Sequence, residues 1–221
     1  NMAVVSDDID ARVTVVMRGD DHISNTPKQI LLYEALGARI PMFAHLPMIH
    51  GTDGKKLSKR HGATFVGDYR DQGILPSAMT NFLALLGWSP GGDREVMTPQ
   101  ELIDHFSTDG LLKKAAVFDV KKLEWMNGQH LNMMPLGEVE PFITPAIVNA
   151  GLATPDWLAS HRDWYLKLLE VLRVRSRTVE DVVRQAAPYF GDAIALDPDA
   201  VAKQWKDPAT FDLLSEARSA L

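Results

Sequence analysis

An α/β segment followed by an all-helical remainder is the fold class these 221 residues predict, and three observations carry that reading. Two short apolar segments, residues 12–18 and 42–49, flank a helix signal with strand, helix, strand spacing, as in half of a parallel sheet. After residue 62 the apolar positions recur at helical spacing instead. From about residue 131 the chain reads as wholly helical, with Pro135, Pro141, Pro145, Pro155, Pro188, Pro198 and Pro208 punctuating short helices.

Each element has its own local signal. RVTVVMR, residues 12–18, is a β-branched run ending in charge and glycine, which predicts a short strand. Thr26 before Pro27, with Gln29 three residues on, reads as an N-cap, an N1 proline and a capping-box partner, and Gly37 closes the helix. MFAHLPMI, residues 42–49, predicts a buried strand whose ladder stops at Pro47. Residues 78–86 predict a helix ending at Gly87, and Thr98, Pro99 and Glu101 repeat the capping device. Asp119 opens a helix running to Gly128, with Val120, Leu123 and Met126 or Trp125 facing inward. The resulting partition is 1–62, 63–130 and 131–221.

Composition sets the outer limits. Without cysteine there is neither a disulfide framework nor a thiolate metal site, and cytoplasmic localisation is expected. No apolar run reaches the roughly 18 residues of a membrane span, so no membrane partner is expected. A formal charge of −6 argues against coating nucleic acid non-specifically, although a local basic patch can still hold phosphates. The seven histidines show no metal-ligand spacing, so neither zinc nor any other protein-held metal is assigned. The chain opens on Asn1 and runs straight into an apolar stretch, which suggests a fragment.

One loop breaks the acidic pattern. In GTDGKKLSKRHG, residues 51–62, Lys55, Lys56, Lys59 and Arg60 fall within six positions between glycines. Their mutual repulsion must be offset by solvent or by an anion. A bare basic cluster is most often a solvated surface loop. The glycines and the preceding strand favour a phosphate ligand, because they let the backbone approach it at the end of a sheet. The Walker A spacing is absent.

Lys56-Leu57-Ser58-Lys59-Arg60 resembles the KMSKS loop of class I aminoacyl-tRNA synthetases, in the KLSKR form of glutamyl-tRNA synthetases. The resemblance extends, in family order, through Arg18-Gly19-Asp20-Asp21-His22 to Gln29, LLYEALG, His45-Leu46-Pro47, and Phe118-Asp119 with Lys122 to Asn127. It implies the C-terminal half of a class I Rossmann-like nucleotide-binding domain to residue 62, a stem-contact domain to 130 and a partial helical anticodon-binding domain beyond. It also implies a monomer that takes ATP with Mg²⁺, L-glutamate and tRNA(Glu), forming glutamyl-adenylate before transfer to the tRNA 3′ end.

The same resemblance assigns roles. Lys56 and Lys59 would be catalytic, stabilising the phosphates as mobile point charges. Asp21, His22, Ile49, Leu57, Ser58 and Arg60 would complete the ATP site. Arg18 would bind glutamate; the local alternative is an ion pair with Asp20 or Asp21. Asp21 could equally complement a helix dipole. Asp8, Lys122, Trp125 and Arg175 would face tRNA. For these, an exposed turn at Asp7 and Asp8, a core position for Trp125, and a dipole role for Arg173, Arg175 and Arg177 are the alternatives.

The HIGH signature and the strand bearing the remaining glutamate-site arginine and serine do not occur in these residues. The polypeptide by itself is therefore expected not to form adenylate. Two rival readings are a non-catalytic tRNA-binding module and the paralogue that glutamylates a queuosine base; the helices after residue 130 count against the paralogue.

Overall fold

The computed structural model describes residues 1–57, 65–191, 198–206 and 209–220. Helix α1 (Met2–Asp10) was not foreseen from its sequence. It is closed by backbone bonds from Ala11, Arg12 and Val13 to Asp7, Ile9 and Asp8, which turn the chain with Arg12 at φ 55°. That turn uses up the start of the run expected as strand, so β1 occupies Val15–Gly19 rather than 12–18. Helix α2 (Thr26–Ala35) follows a 3-10 turn (Asp20–Asn25), and β2 covers Met42–Leu46, stopping at Pro47 as expected but not buried as expected, since its residues are exposed or half-buried. The two strands are parallel, with Arg18 opposite His45. Val15, Met17 and Met42 remain 45%, 47% and 69% exposed, an unusual state for a parallel sheet, whose faces are ordinarily covered.

Thr26 does not cap α2. Asn25 and Thr26 already have helical dihedrals, so the 3-10 turn runs directly into the helix and the Thr26 hydroxyl is left for side-chain partners. Gly37 does close the helix, at φ 62°. Helix α3 (Val66–Asp71) leads to α4 (Pro76–Leu85), which begins two residues before the expected start because Pro76 supplies the N1 position. In α5 (Pro99–His105) the capping box is present: the Thr98 hydroxyl accepts from the Glu101 amide, and the Glu101 carboxylate accepts from the Thr98 amide.

Helix α6 (Val120–Met133) starts at Asp119, whose carboxylate accepts from the Lys121 and Lys122 amides. It continues through Gly128, which is a packing position rather than a terminator: a Cβ there would lie 3.2 Å from the Ser176 carbonyl. Helices α7 (Leu136–Asn149), α8 (Pro155–Ser160), α9 (Arg162–Arg173) and α10 (Val179–Phe190) complete the main bundle, followed by α11 (Pro198–Gln204) and α12 (Ala209–Ala220). Pro155 and Pro198 open helices as expected. Pro141, Pro145 and Pro188 instead lie inside α7 and α10, where tertiary burial outweighs the lost backbone bonds. Pro208 lies outside the described residues.

Among the described residues a small apolar centre of Trp88, Met97 and Leu102 packs α5 against α4, and two larger ones hold the rest of the helical part together. One joins Tyr69, Ile74, Met79, Phe82, Leu86, Leu123 and Met126, with Ile49 and Phe118 packed against it. The other gathers Leu75, Ala78 and Leu131 with residues of α7 to α10, including Ile143, Tyr165, Leu169 and Val182. Leu123 and Met126 thus face inward as expected, and both are fully buried.

Candidate active site

The site is built at the carboxyl ends of the parallel strands. Arg18 is the penultimate residue of β1, and its Nη2 donates to Thr26 Oγ1 at 2.8 Å; the same hydroxyl lies 2.9 Å from His45 Nε2. The guanidinium sits 5.4 Å from the centre of the Phe43 ring. Its Nε is buried without a hydrogen-bond partner among the described residues. The alternative pairing of Arg18 with Asp20 or Asp21 is not what the structure shows, because Asp21 turns to a lysine. An unfilled donor on a guanidinium suits an anionic ligand.

Asp21 and His22 lie on the 3-10 turn after β1, both exposed, with the His22 Nε2 3.8 Å from an Asp21 carboxylate oxygen. Gly19, extended at φ −63°, makes room for this carboxylate: a Cβ there would stand 2.7 Å from Asp21 Oδ1. Lys56 Nζ donates to Asp21 Oδ2 at 3.0 Å. That hydrogen bond holds the Asp21 carboxyl below the ordinary carboxylate range. The basic loop is therefore joined to the strand ends by a direct ion pair.

Backbone bonds fix the base of the loop. The Leu57 amide donates to Ile49 at 2.9 Å and the Gly51 amide to Lys55 at 2.8 Å, while Gly54 turns the chain at φ 75°. His50 links this hairpin to the segment before α6, donating to Ala116 and accepting from Phe118. A cleft of about 520 Å³ lies beside it, lined by Gly51, Thr52, Leu57 and residues 118–121. Ser58, Lys59 and Arg60 lie outside the described residues.

Of the four expected RNA-facing residues, Lys122 and Trp125 share one exposed face of α6, while Asp8 and Arg175 lie on other elements. Asp8 is on α1 rather than in a turn, and accepts from the Tyr33 hydroxyl at 3.2 Å. Lys122 is exposed on α6 and donates to Glu95 at 2.5 Å. Trp125 is 38% exposed, so the core reading is corrected: helical phase gives the buried positions to Leu123 and Met126. Arg175 is exposed beyond the end of α9. Its neighbour Arg173 turns inward, donating to the Met134 carbonyl at 2.6 Å and the Leu131 carbonyl at 3.2 Å, so it satisfies the C-terminus of α6 rather than that of its own helix. Among the described residues, no group of three or more His, Asp or Glu could hold a metal ion, and no helix is long and apolar enough to cross a membrane.

Thr26, His45 and Gly19 belong to this site although sequence reading gave them no functional role. The signal available was register: placing Arg18 beside His45 requires knowing that the two strands pair in parallel.

Residues 1–125 match the family model of the tRNA synthetases class I (E and Q), catalytic domain, and residues 137–221 match an anticodon binding domain. The chain is 45% identical over 219 residues to glutamate–tRNA ligase 2 of Koribacter versatilis, covering 98% of this chain and 45% of that protein. It is 42% identical over 223 residues to glutamate–tRNA ligase of Desulforudis audaxviator, covering 44% of that protein. A crystal structure of a glutamate tRNA ligase from Elizabethkingia meningosepticum in complex with its amino acid superposes with a TM-score of 0.79 at 31% identity, over 97% of this chain and 45% of that one. The chain thus spans a little under half the length of these relatives. A partial Rossmann-like domain followed by helical domains, with a matching catalytic-domain model over more than half its length, places the chain in the class I tRNA synthetase family of the glutamyl and glutaminyl type.

Proposed function

We propose that the chain carries the second half of the catalytic centre of a glutamate–tRNA ligase, together with its stem-contact and part of its anticodon-binding region, divided at about residues 62 and 130. The observation that carries the reading is the convergence of Arg18, Asp21 and Lys56 at the ends of β1 and β2. The matching relatives are named glutamate–tRNA ligases, which supports glutamate as the amino acid.

In this reading Arg18 grips a glutamate carboxylate, with Thr26 fixing one edge of the guanidinium and leaving Nε free to donate. Lys56 and Lys59 hold ATP phosphates, and Ser58 and Arg60 set the loop. His22 and the backbone of Ile49 border the adenosine, and Asp21 contacts its ribose or amine. Magnesium enters with ATP as part of the substrate complex. Attack of the glutamate carboxylate on the α-phosphate expels pyrophosphate, and the lysines neutralise the charge that develops. Each such contact is typically worth a factor on the order of 10² in rate. Lys122 and Trp125 on α6, with Asp8 and Arg175, supply a surface for tRNA(Glu).

Equilibrium binding of MgATP tests this. The chain is expected to bind it, and Lys59→Ala to weaken binding about tenfold, the loss of one charge-assisted contact. A non-catalytic RNA-binding module would bind tRNA and show no affinity for MgATP. Pyrophosphate exchange by the isolated chain is expected to be absent, since the HIGH signature is not among its residues.

A further inference from the structure

We propose that Asp21 is a positioning residue that competes with polyphosphate for the Lys56 ammonium, so that nucleotide binding exchanges a carboxylate partner for a phosphate one. The inference rests on the phosphate-site reading above and concerns how that site is regulated.

The geometry separates what is fixed from what can move. The backbone of residues 55–57 is pinned by the Gly51 to Lys55 and Leu57 to Ile49 hydrogen bonds and by the bridge between His50 and Lys56. The Lys56 side chain, by contrast, is 60% exposed and reaches Asp21 across 35 positions of sequence. The carboxylate it meets hangs from the turn that ends β1, where a Cβ on Gly19 would stand 2.7 Å from its Oδ1. Both charges are accessible to solvent, so the pair is weak enough to be exchanged. A polyphosphate carries several negative charges and displaces a single carboxylate from the ammonium by mass action. The pair thereby sets a threshold for phosphate binding while keeping an exposed lysine oriented toward the strand ends.

Calorimetric titration with inorganic tripolyphosphate at low ionic strength tests this, because that probe lacks adenosine and so removes any direct contact of Asp21 with the nucleoside. Four variants are compared with the parent chain: Asp21→Asn, Asp20→Asn, Lys56→Gln, and Asp21→Asn with Lys56→Gln. Asp20→Asn removes the same charge one residue away. Asp21→Asn is expected to tighten binding about threefold beyond the effect of Asp20→Asn, the scale of an exposed ion pair. That gain is expected to vanish when Lys56 is glutamine. Equal effects of the two asparagine variants, or a gain that persists without Lys56, overturn the competition while leaving a Lys56-dependent phosphate site standing. Failure of all five proteins to bind tripolyphosphate, or binding indifferent to Lys56, overturns both the phosphate reading and the proposal.

Discussion

Asn127 holds Gly73 from across the domain: its Nδ2 donates to the Gly73 carbonyl at 3.1 Å and to the Arg177 carbonyl at 2.7 Å, while its Oδ1 accepts from the Leu75 amide at 2.8 Å. One fully buried amide thus joins α6 to the loop before α4 and to the segment before α10. Replacing it with alanine leaves the Leu75 amide and the Arg177 carbonyl short of partners, while the Gly73 carbonyl keeps the Val179 amide at 3.1 Å. Asn127→Ala is expected to cost about 2–4 kcal/mol, since each unsatisfied buried group costs roughly 1–3 kcal/mol and relaxation recovers part. Urea unfolding of the variant measures it; a midpoint equal to that of the parent would show that the amide is dispensable.

The two glycines at this junction should respond differently to alanine. At Gly73, φ is +79° and a Cβ would lie 2.8 Å from the Val179 amide nitrogen, against backbone that cannot swing away. Gly73→Ala is expected to destabilise by about 2–4 kcal/mol, combining left-handed strain with the clash. At Gly128, within α6, the contact is 3.2 Å and alanine's helix preference, about 1 kcal/mol, offsets much of it. Thermal unfolding of the pair should therefore rank Gly73→Ala well below Gly128→Ala.

Buried His130 predicts acid sensitivity. Its Nε2 lies 3.1 Å from Asn81 Oδ1, an oxygen that also accepts the Met97 amide, and desolvation pushes the imidazole below its ordinary value of about 6.5. The unfolded chain then binds a proton more readily than the folded one. This contribution to stability is present in full above about pH 6.5 and is lost as pH falls toward the lower folded value. Denaturant midpoints measured between pH 7.5 and 5 should decline, and His130→Leu should flatten that part of the decline.

Local stability should differ between the two ends of the chain. β1 and β2 form a two-stranded parallel sheet with apolar residues exposed, whereas α7, α9 and α10 enclose a continuous buried core. Amide hydrogen exchange is expected to be faster by orders of magnitude in Val15–Gly19 than in Arg162–Arg173. Equal protection in the two segments would contradict the exposure seen here.

By themselves the residues settled whatever depends on short-range chemistry. Thr98 with Pro99 and Glu101, the opening of α6 at Asp119 and the stop of β2 at Pro47 could be read directly, because caps and proline geometry act within a turn of the chain. The KLSKR loop and the Arg18-Gly19-Asp20-Asp21 run were likewise legible, since charge crowded between glycines stands out without coordinates.

Tertiary packing decided the rest. Pro141, Pro145 and Pro188 stay inside helices and Gly128 does not end one, because burial against neighbours outweighs a local preference of a few kcal/mol at most. Trp125 and Met126 are adjacent in sequence; helical phase puts them on different faces of α6, and the position of the surrounding helices determined which face meets solvent. The pairing of Lys56 with Asp21, and the service of Arg173 to another helix, arise between residues 35 and about 40 positions apart. Contacts of that kind leave no periodicity in the chain, since they depend on where whole elements settle once their apolar faces are buried.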